Sequence, residues 1–238
     1  MKRVNSTIIL FISLLLLTAS CSSSQKDTNS KKADLFYTYG TQKLIDKDYT
    51  QALEALLKAN TLKPNDTKTL NNLGLAYYLK KKPELAKKFF LKSIDEDEKN
   101  SDARNNLASI YFHEGKMNLA EKQYKEVLKD LVYQYSYRVK YNLALIELKR
   151  NNKKKAMKYL NEVTGYTLDY CPAPYQLALL LKEDGKIKDA IKNLNIATTG
   201  KCDKEPAPIY ELGEIYRSLG ERQKAISYFD KVIESVLF

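Results

Sequence analysis

The sequence predicts an all-α protein built from repeated helix–turn–helix units. Three segments share one skeleton: "LNNLGLAYYLKKKPELAKKFF" from Leu70, "RNNLASIYFHEGKMNLAEKQY" from Arg104 and "IYELGEIYRSLGERQKAISYF" from Ile209. In each, a Leu-Gly or Leu-Ala pair is followed three residues on by an aromatic residue, then by an alanine and a second aromatic residue. The copies recur about every 34 residues, and their apolar positions fall on one helical face. Since a single unit cannot bury its apolar face alone, we expect the units to stack into a solenoid.

Six copies fill the chain from residue 33 onward, near 33–66, 67–100, 101–136, 137–170, 171–205 and 206–238. Each has a small residue in its first helix and an alanine in its second, as Gly74 and Ala86 illustrate in the second copy. The pattern resembles the tetratricopeptide repeat (TPR). This resemblance implies a right-handed superhelical solenoid of about six repeats, in which the first helices line a groove for protein partners.

The first 20 residues have the features of a secretory signal peptide. Lys2 and Arg3 precede an apolar run from Ile8 to Leu17, which as a helix would rise roughly 15 Å, about half the hydrocarbon thickness of a bilayer. The run is therefore too short to cross a membrane but suits a cleaved signal. Small residues then lead to Cys21, an ending similar to the bacterial lipobox, although Thr18 stands where leucine is more common.

The lipobox resemblance implies that Cys21 becomes the new N-terminus and carries acyl chains such as palmitate, which would anchor the protein. The alternative is a plain cleaved signal with an incidental cysteine. Ser22 follows Cys21 instead of aspartate, and the sorting rule of enteric bacteria then implies the periplasmic face of the outer membrane. The segment 21–32 continues as "SSSQKDTNSKK", which is wholly polar, and we expect a flexible tether there.

The two remaining cysteines, Cys171 and Cys202, invite a disulfide in an exported chain. Cys171 opens the fifth repeat and Cys202 follows its second helix, and antiparallel helices bring these two ends together. Two free buried thiols are the alternative. A metal site is not expected, because the cysteines and the single histidine, His113, lack ligand spacing.

No motif of an enzyme is present: the sequence lacks a glycine-rich phosphate loop, an H-E-x-x-H motif and a nucleophile with a partner histidine. We therefore expect neither catalysis, a cofactor nor a small-molecule substrate. The net charge of +11 would be compatible with nucleic-acid binding, but an exported lipoprotein does not encounter the nucleic acids of the cytoplasm. The basic surface could instead steer the protein towards anionic membrane or acidic partner segments.

Partner binding is expected at the positions of the first helices that face the groove of a TPR array. Aromatic rings there would supply contact area, and amides could pair with a partner's backbone. The predicted groove residues are Tyr37, Asn71, Tyr78, Asn105, Phe112, Tyr141, Tyr175 and Tyr210. The fourth repeat, which has two extra residues, adds four tyrosines, which form either an irregular packed loop or an aromatic patch for a partner: Tyr133, Tyr135, Tyr137 and Tyr141.

The layout of signal, lipobox, short tether and six repeats resembles the type IV pilus pilotins, the family of PilF, PilW and Tgl. The segment "SDARNNLASIYFHEGKMNLAEKQYKEVLKD" and the lengthened junction "LVYQYSYRVKYNLAL" are similar to the family's central repeats. The resemblance implies binding of the secretin subunit and promotion of its assembly at the outer membrane. Alternatives are a BamD-like assembly factor, an NlpI-like adaptor, or a soluble TPR scaffold.

Overall fold

The computed structural model describes the backbone at residues 6–167 and 169–237, and the side chains at residues 26–167 and 169–235. Within these ranges the chain forms twelve α-helices and one short 3₁₀ helix, Gly200–Cys202, with no β-strand. The α-helices are α1 (Ser6–Ile45), α2 (Tyr49–Leu62), α3 (Thr67–Leu79), α4 (Pro83–Glu96), α5 (Ser101–His113), α6 (Met117–Val127), α7 (Ser136–Lys149), α8 (Lys153–Tyr166), α9 (Pro172–Glu183), α10 (Ile187–Ile196), α11 (Pro206–Ser218) and α12 (Arg222–Leu237). The predicted all-α class is confirmed.

The chain divides into two compact units, one ending at Ile110 and the other beginning at Tyr111. In the first unit α1 packs on α2 and α3 on α4, while α2 joins the pairs by packing on α3. In the second unit α7 packs on α8, α9 on α10 and α11 on α12, and α8 and α10 each pack on the pair that follows. Each unit is thus a stack of helix–turn–helix pairs, as the repeat pattern predicts.

Glycine is required where the two helices of a pair touch most closely. A Cβ atom on Gly74 of α3 would lie 2.6 Å from Cε1 of Phe90 on α4, whose ring is buried. The same contact recurs between α11 and α12, where a Cβ atom on Gly213 would lie 2.6 Å from Cε1 of Phe229. The aromatic ring therefore occupies the space that a larger residue would need, which explains the small residue in the repeat pattern.

One residue in the left-handed region ends the first helix of every pair. These residues have φ between 58° and 77°, and three of the six are glycines: Lys47, Lys81, Gly115, Asn151, Gly185 and Gly220. The amide of the next residue donates to a carbonyl five residues back, as in the bond from Lys82 N to Tyr77 O of 2.9 Å. This is the Schellman arrangement, which satisfies the last carbonyls of a helix and reverses the chain.

The N-terminal part differs from the predicted flexible tether. Helix α1 runs without interruption from Ser6 to Ile45 and includes the polar segment 22–32. The chain has no proline or glycine before Gly40, so nothing in that stretch terminates a helix. Among the described residues, no helix combines the length and apolarity that crossing a membrane requires. The predicted signal peptide, residues 1–20, and the acylated side chain of Cys21 lie outside the described side chains.

Candidate partner-binding surfaces

A row of hydrogen-bonded amides connects the first helices of the pairs in the first unit. Nδ2 of Asn106 on α5 donates to Oδ1 of Asn71 on α3 at 3.0 Å, and Nδ2 of Asn71 donates to Oδ1 of Asn72 at 3.2 Å. Nδ2 of Asn72 then donates to Oγ1 of Thr41 on α1 at 2.9 Å. We call Thr41, Asn71, Asn72 and Asn106 the asparagine row. Each carboxamide has two hydrogens and two lone pairs, so these bonds leave capacity for a partner.

The asparagine row borders a cavity of about 360 Å³, lined by Tyr37, Thr67, Lys68, Asn71, Asn72, Asp97, Asn100 and Asp102. Two predicted groove residues, Tyr37 and Asn71, therefore line one cavity. The ring of Tyr37 also packs against the buried cluster of Leu56, Leu73 and Ala76, which holds it in place. The volume lies within the range of small ligand pockets, and the lining offers amide donors and acceptors beside an aromatic ring. Such a cavity suits a short extended peptide segment.

The other two predicted groove residues of the first unit, Tyr78 and Asn105, are half-buried on α3 and α5. Oδ1 of Asn105 is buried and has no hydrogen-bond partner among the described residues. Because this atom is buried, a partner's donor could reach it only after neighbouring side chains moved.

In the second unit the predicted groove residues have different surroundings. Phe112 contacts His113 edge-on, with ring centroids 5.8 Å apart. Tyr175 packs against the buried core around α9. Burial raises the pKa of its hydroxyl, and the negative charge of Glu211 raises it further. Tyr210 is 48% exposed and lies against Phe229 of its own helix pair, with centroids 5.7 Å apart.

The last predicted groove residue, Tyr141, belongs to a cluster of tyrosines between α7 and the connection after α8. Tyr170 contacts both Tyr137 and Tyr141, at centroid distances of 5.2 and 5.3 Å, and Tyr166 stacks on Tyr137 at 6.2 Å. Burial raises the pKa of Tyr170 to about 12 and also raises the pKa of Tyr141. Tyr166 nevertheless remains 68% exposed. We call Tyr137, Tyr141, Tyr166 and Tyr170 the tyrosine cluster.

An apolar turn projects from the connection between α6 and α7. Leu131 is 95% exposed and Val132 is 90% exposed, although leucine and valine are usually buried. Two hydrogen bonds stabilise the turn. The amide of Val132 donates to Oδ1 of Asp130 at 3.2 Å, and the amide of Tyr133 donates to the carbonyl oxygen of Asp130 at 3.2 Å. We call Leu131 and Val132 the exposed apolar turn. The two adjacent side chains form a small exposed apolar patch that a partner could cover.

The tyrosines singled out in the fourth repeat therefore separate into two groups. Tyr137 and Tyr141 join the tyrosine cluster, while Tyr133 and Tyr135 form an edge-to-face pair at 5.9 Å beside the exposed apolar turn. The guanidinium of Arg138 lies 5.1 Å from the ring centroid of Tyr135 and 5.7 Å from that of Tyr137. Arg138 thus bridges the two groups by cation–π contacts.

Cys171 and Cys202, the pair predicted from the repeat positions, are joined by a disulfide in the structure, with Cα atoms 5.6 Å apart. Cys171 is the N-cap residue of α9, which opens with Pro172, and Cys202 lies in the 3₁₀ helix after α10. The bond closes the α9–α10 pair at the end opposite its turn.

Comparison with known proteins establishes the family. The family model "Tetratricopeptide repeat" matches residues 67–100, 101–129, 137–170 and 208–235, which is more than half of the chain. The chain belongs to the tetratricopeptide repeat family. TPR folds are scaffolds for protein–protein interaction, which agrees with the predicted function class. Among curated proteins, no sequence matches the chain.

Solved TPR structures match the fold over most of its length. The structure of PilF from Pseudomonas aeruginosa has a TM-score of 0.76 at 19% identity, covering 84% of this chain and 90% of that one. The structure of PilW, described as a widely conserved type IV pilus biogenesis factor, has a TM-score of 0.70 at 16% identity, covering 87% and 98%. The TPR protein YrrB, described as having an unusual peptide-binding site, has a TM-score of 0.58 at 21% identity, covering 77% and 93%. At these identities the likeness concerns the fold alone.

Sequence reasoning missed several residues of these surfaces. Asn72 and Asn106 immediately follow the predicted groove residues Asn71 and Asn105, and the repeated Asn-Asn pair was a usable signal. Tyr166 and Tyr170 flank the connection before the fifth repeat, where no position of the repeat pattern marks them. The exposed apolar turn lies in the two-residue insertion region, where the repeat pattern makes no prediction of burial.

Proposed function

We propose that this TPR protein is a type IV pilus pilotin, a lipid-anchored protein of the outer membrane that binds the secretin subunit and promotes its localisation and multimerisation. The observation that carries the proposal is the extent of the fold match to PilF and PilW, which spans nearly all of both proteins. The lipobox-like ending at Cys21, directly ahead of the repeats, supports it from the sequence.

The lipid anchor would act through effective concentration. Acyl chains on Cys21 would confine the protein to the periplasmic face of the outer membrane, where a client bound to the repeats is also confined. An assembly step that needs several secretin subunits to meet at the membrane then proceeds at a higher local concentration, without any catalytic residue in the carrier.

The two surfaces would have different roles in client binding. The asparagine row and Tyr37 would hold an extended segment, since the remaining amide hydrogens and lone pairs suit a peptide backbone. The exposed apolar turn would cover apolar surface that the secretin subunit buries only after assembly. Covering such surface suppresses aggregation of an unassembled subunit.

The proposal is tested by measuring the affinity of the purified mature protein for the soluble periplasmic part of the secretin. We expect the double variant Leu131→Ser/Val132→Ser to weaken binding by about tenfold or more, because truncated apolar anchors cost about 1 to 2 kcal/mol each. Asn71→Ala should weaken it about fivefold, since one net hydrogen bond contributes about 1 kcal/mol.

Leu85→Ser/Leu91→Ser on α4 is the control, because both leucines are 43% exposed and lie outside the proposed contacts. It should leave the affinity within a factor of about two, as surface substitutions usually do. Equal losses in the control and the test variants, or no binding by the unaltered protein, would remove the proposed contacts.

A further inference from the structure

A basic groove lies beside the second helix of the fourth repeat, and its lining residues differ from those of the surfaces described above. It has a volume of about 870 Å³ and runs between α8 and the turn that connects α9 to α10. Five lysines line it, Lys153, Lys154, Lys155, Lys158 and Lys186, and Met157 lies among them. We call this region the lysine groove. Its size falls within the range of ligand-binding clefts.

The lysines of the groove are not all neutralised by the protein itself. Nζ of Lys153 lies 2.6 Å from Oδ1 of Asp184, which is the one carboxylate in the lining, and Nζ of Lys155 lies 2.6 Å from Oε1 of the buried Glu147. The other three, Lys154, Lys158 and Lys186, are exposed and have no ion-pair partner in the described part of the chain. Their three positive charges are therefore available to a ligand.

The groove also has an apolar component on a fixed base. Met157 is half-buried and packs against the hydrophobic core that includes Leu160, Ala190 and Leu194. The methylene stems of the surrounding lysines extend this apolar surface below their charged ends. A partner with an apolar side chain between acidic ones would match both features.

We propose that the lysine groove binds an acidic peptide segment of a partner protein, with an apolar side chain seated on Met157 and carboxylates paired with Lys154, Lys158 and Lys186. Charge complementarity identifies the ligand class, because three uncompensated lysines attract carboxylates and disfavour basic segments. The apolar surface of Met157 between the charged lysines favours a segment that carries apolar side chains beside its carboxylates. This inference does not rest on the proposed function.

The test uses the purified mature protein and a fluorescein-labelled peptide of glutamates and leucines, with a glutamine–leucine peptide of equal length as the neutral probe. Fluorescence anisotropy should show binding of the acidic peptide only. Raising NaCl from about 0.1 M to about 1 M should weaken that binding, because the Debye length falls from about 10 Å to about 3 Å. The double variant Lys158→Glu/Lys186→Glu should weaken it by about tenfold or more.

Lys88→Glu/Lys92→Glu on α4 is the matched control, since it changes the net charge equally at two exposed lysines without ion-pair partners in the described residues. It should leave the affinity within about twofold. Absence of binding, equal binding of the neutral peptide, or equal losses in both double variants would overturn the proposal. Binding to phosphatidylserine vesicles in place of the peptide would also overturn it, because the ligand would then be a membrane. Self-association in sedimentation that Lys158→Glu/Lys186→Glu abolishes would overturn it too, because the groove would then bind a second copy of the chain.

Discussion

Single residues set the distance between paired helices in this TPR protein. Gly74 and Gly213 each stand against the ring of a phenylalanine on the partner helix, and a Cβ atom would overlap that ring. The repeat pattern predicts small residues at these places, and the structure gives the physical reason. Gly165 differs, because nothing lies within 4 Å of the place where its Cβ atom would be.

Gly74→Ala should therefore destabilise the protein while Gly165→Ala should not. Overpacking a core costs about 1 to 3 kcal/mol, and the better helix propensity of alanine returns up to about 1 kcal/mol. Gly165→Ala gains the propensity without a clash, so it should leave the free energy of unfolding equal or higher. Urea unfolding of both variants measures this difference. Equal free energies for the two variants would show that Phe90 yields freely and that the close contact does not require glycine.

An ion-pair network links α6 and α7 around Glu121. Lys125 Nζ lies 2.6 Å from Oε1 of Glu121, and Arg150 Nη1 lies 2.6 Å from Oε2. The hydrogen bond from Lys125 lowers the pKa of the Glu121 carboxyl. Burial acts in the opposite direction, and the hydrogen bond and charge of Arg150 lower the pKa further. Arg150 also donates to Oδ1 of Asn118 at 2.6 Å, which fixes its guanidinium.

A lowered folded-state pKa means that the Glu121 carboxylate contributes stability above its unfolded pKa and loses it as pH falls through the folded value. Glu121→Gln should therefore reduce the free energy of unfolding at pH 7, and the difference from wild type should shrink below about pH 4.3, the ordinary pKa of glutamate. Urea unfolding at several pH values tests this. A difference that stays constant down to acid pH would contradict the assigned pKa shift.

How much the sequence reveals differs between residues of the same surface. Cys171 and Cys202 could be paired in advance, because repeat numbering alone puts them at adjoining helix ends. The contacts of Tyr166 and Tyr170 with Tyr137 and Tyr141 could not, because they depend on the path of the chain after α8 and on side-chain packing against α7. Tyr210 is predicted to line the groove; its ring lies against Phe229 while the residue stays 48% exposed. Residue spacing fixes the face of a helix, whereas the neighbour on that face is decided by tertiary packing.

At the level of elements, the turn within each helix pair is more uniform than its sequence. All six turns place a residue in the left-handed region, yet lysine or asparagine occupies three of those places. Glycine at this position predicts the turn directly, while Lys47 and Lys81 give no such signal and are held there by the surrounding hydrogen bonds. The extension of α1 through the polar segment was likewise missed, because polar composition indicated a tether while the absence of helix breakers favoured a helix.

The disulfide should be the strongest single constraint on the α9–α10 pair. It joins residues 31 apart in sequence, and closing a loop of that size stabilises by roughly 3 to 4 kcal/mol on the chain-entropy model. The double variant Cys171→Ser/Cys202→Ser should lose about that amount in urea unfolding. A reductant should lower the stability of the wild type and leave the double variant unchanged, which serves as the control. Equal stability of wild type and double variant would show that the bond adds nothing to the fold.

For the whole molecule, periodicity predicted the class and the helix–turn–helix units, and it marked one junction as different, the lengthened one between the third and fourth repeats. The division into two compact units, which falls within α5, has no counterpart in the pattern. The net charge of +11 was also visible in the sequence, whereas its local concentration in the lysine groove depends on which lysines lack a carboxylate nearby. Composition gives total charge, and only folding decides which charges remain unpaired.

The central claim is that this TPR protein promotes assembly of the secretin at the outer membrane. The most direct measurement is a gel that separates heat- and detergent-resistant secretin multimers from monomers in cells with the gene intact, deleted, or carrying Cys21→Ala. We expect multimers with the intact gene, secretin monomers without multimers after deletion, and Cys21→Ala protein released from the membrane fraction with fewer multimers. Unchanged multimers in the deleted strain would contradict the claim.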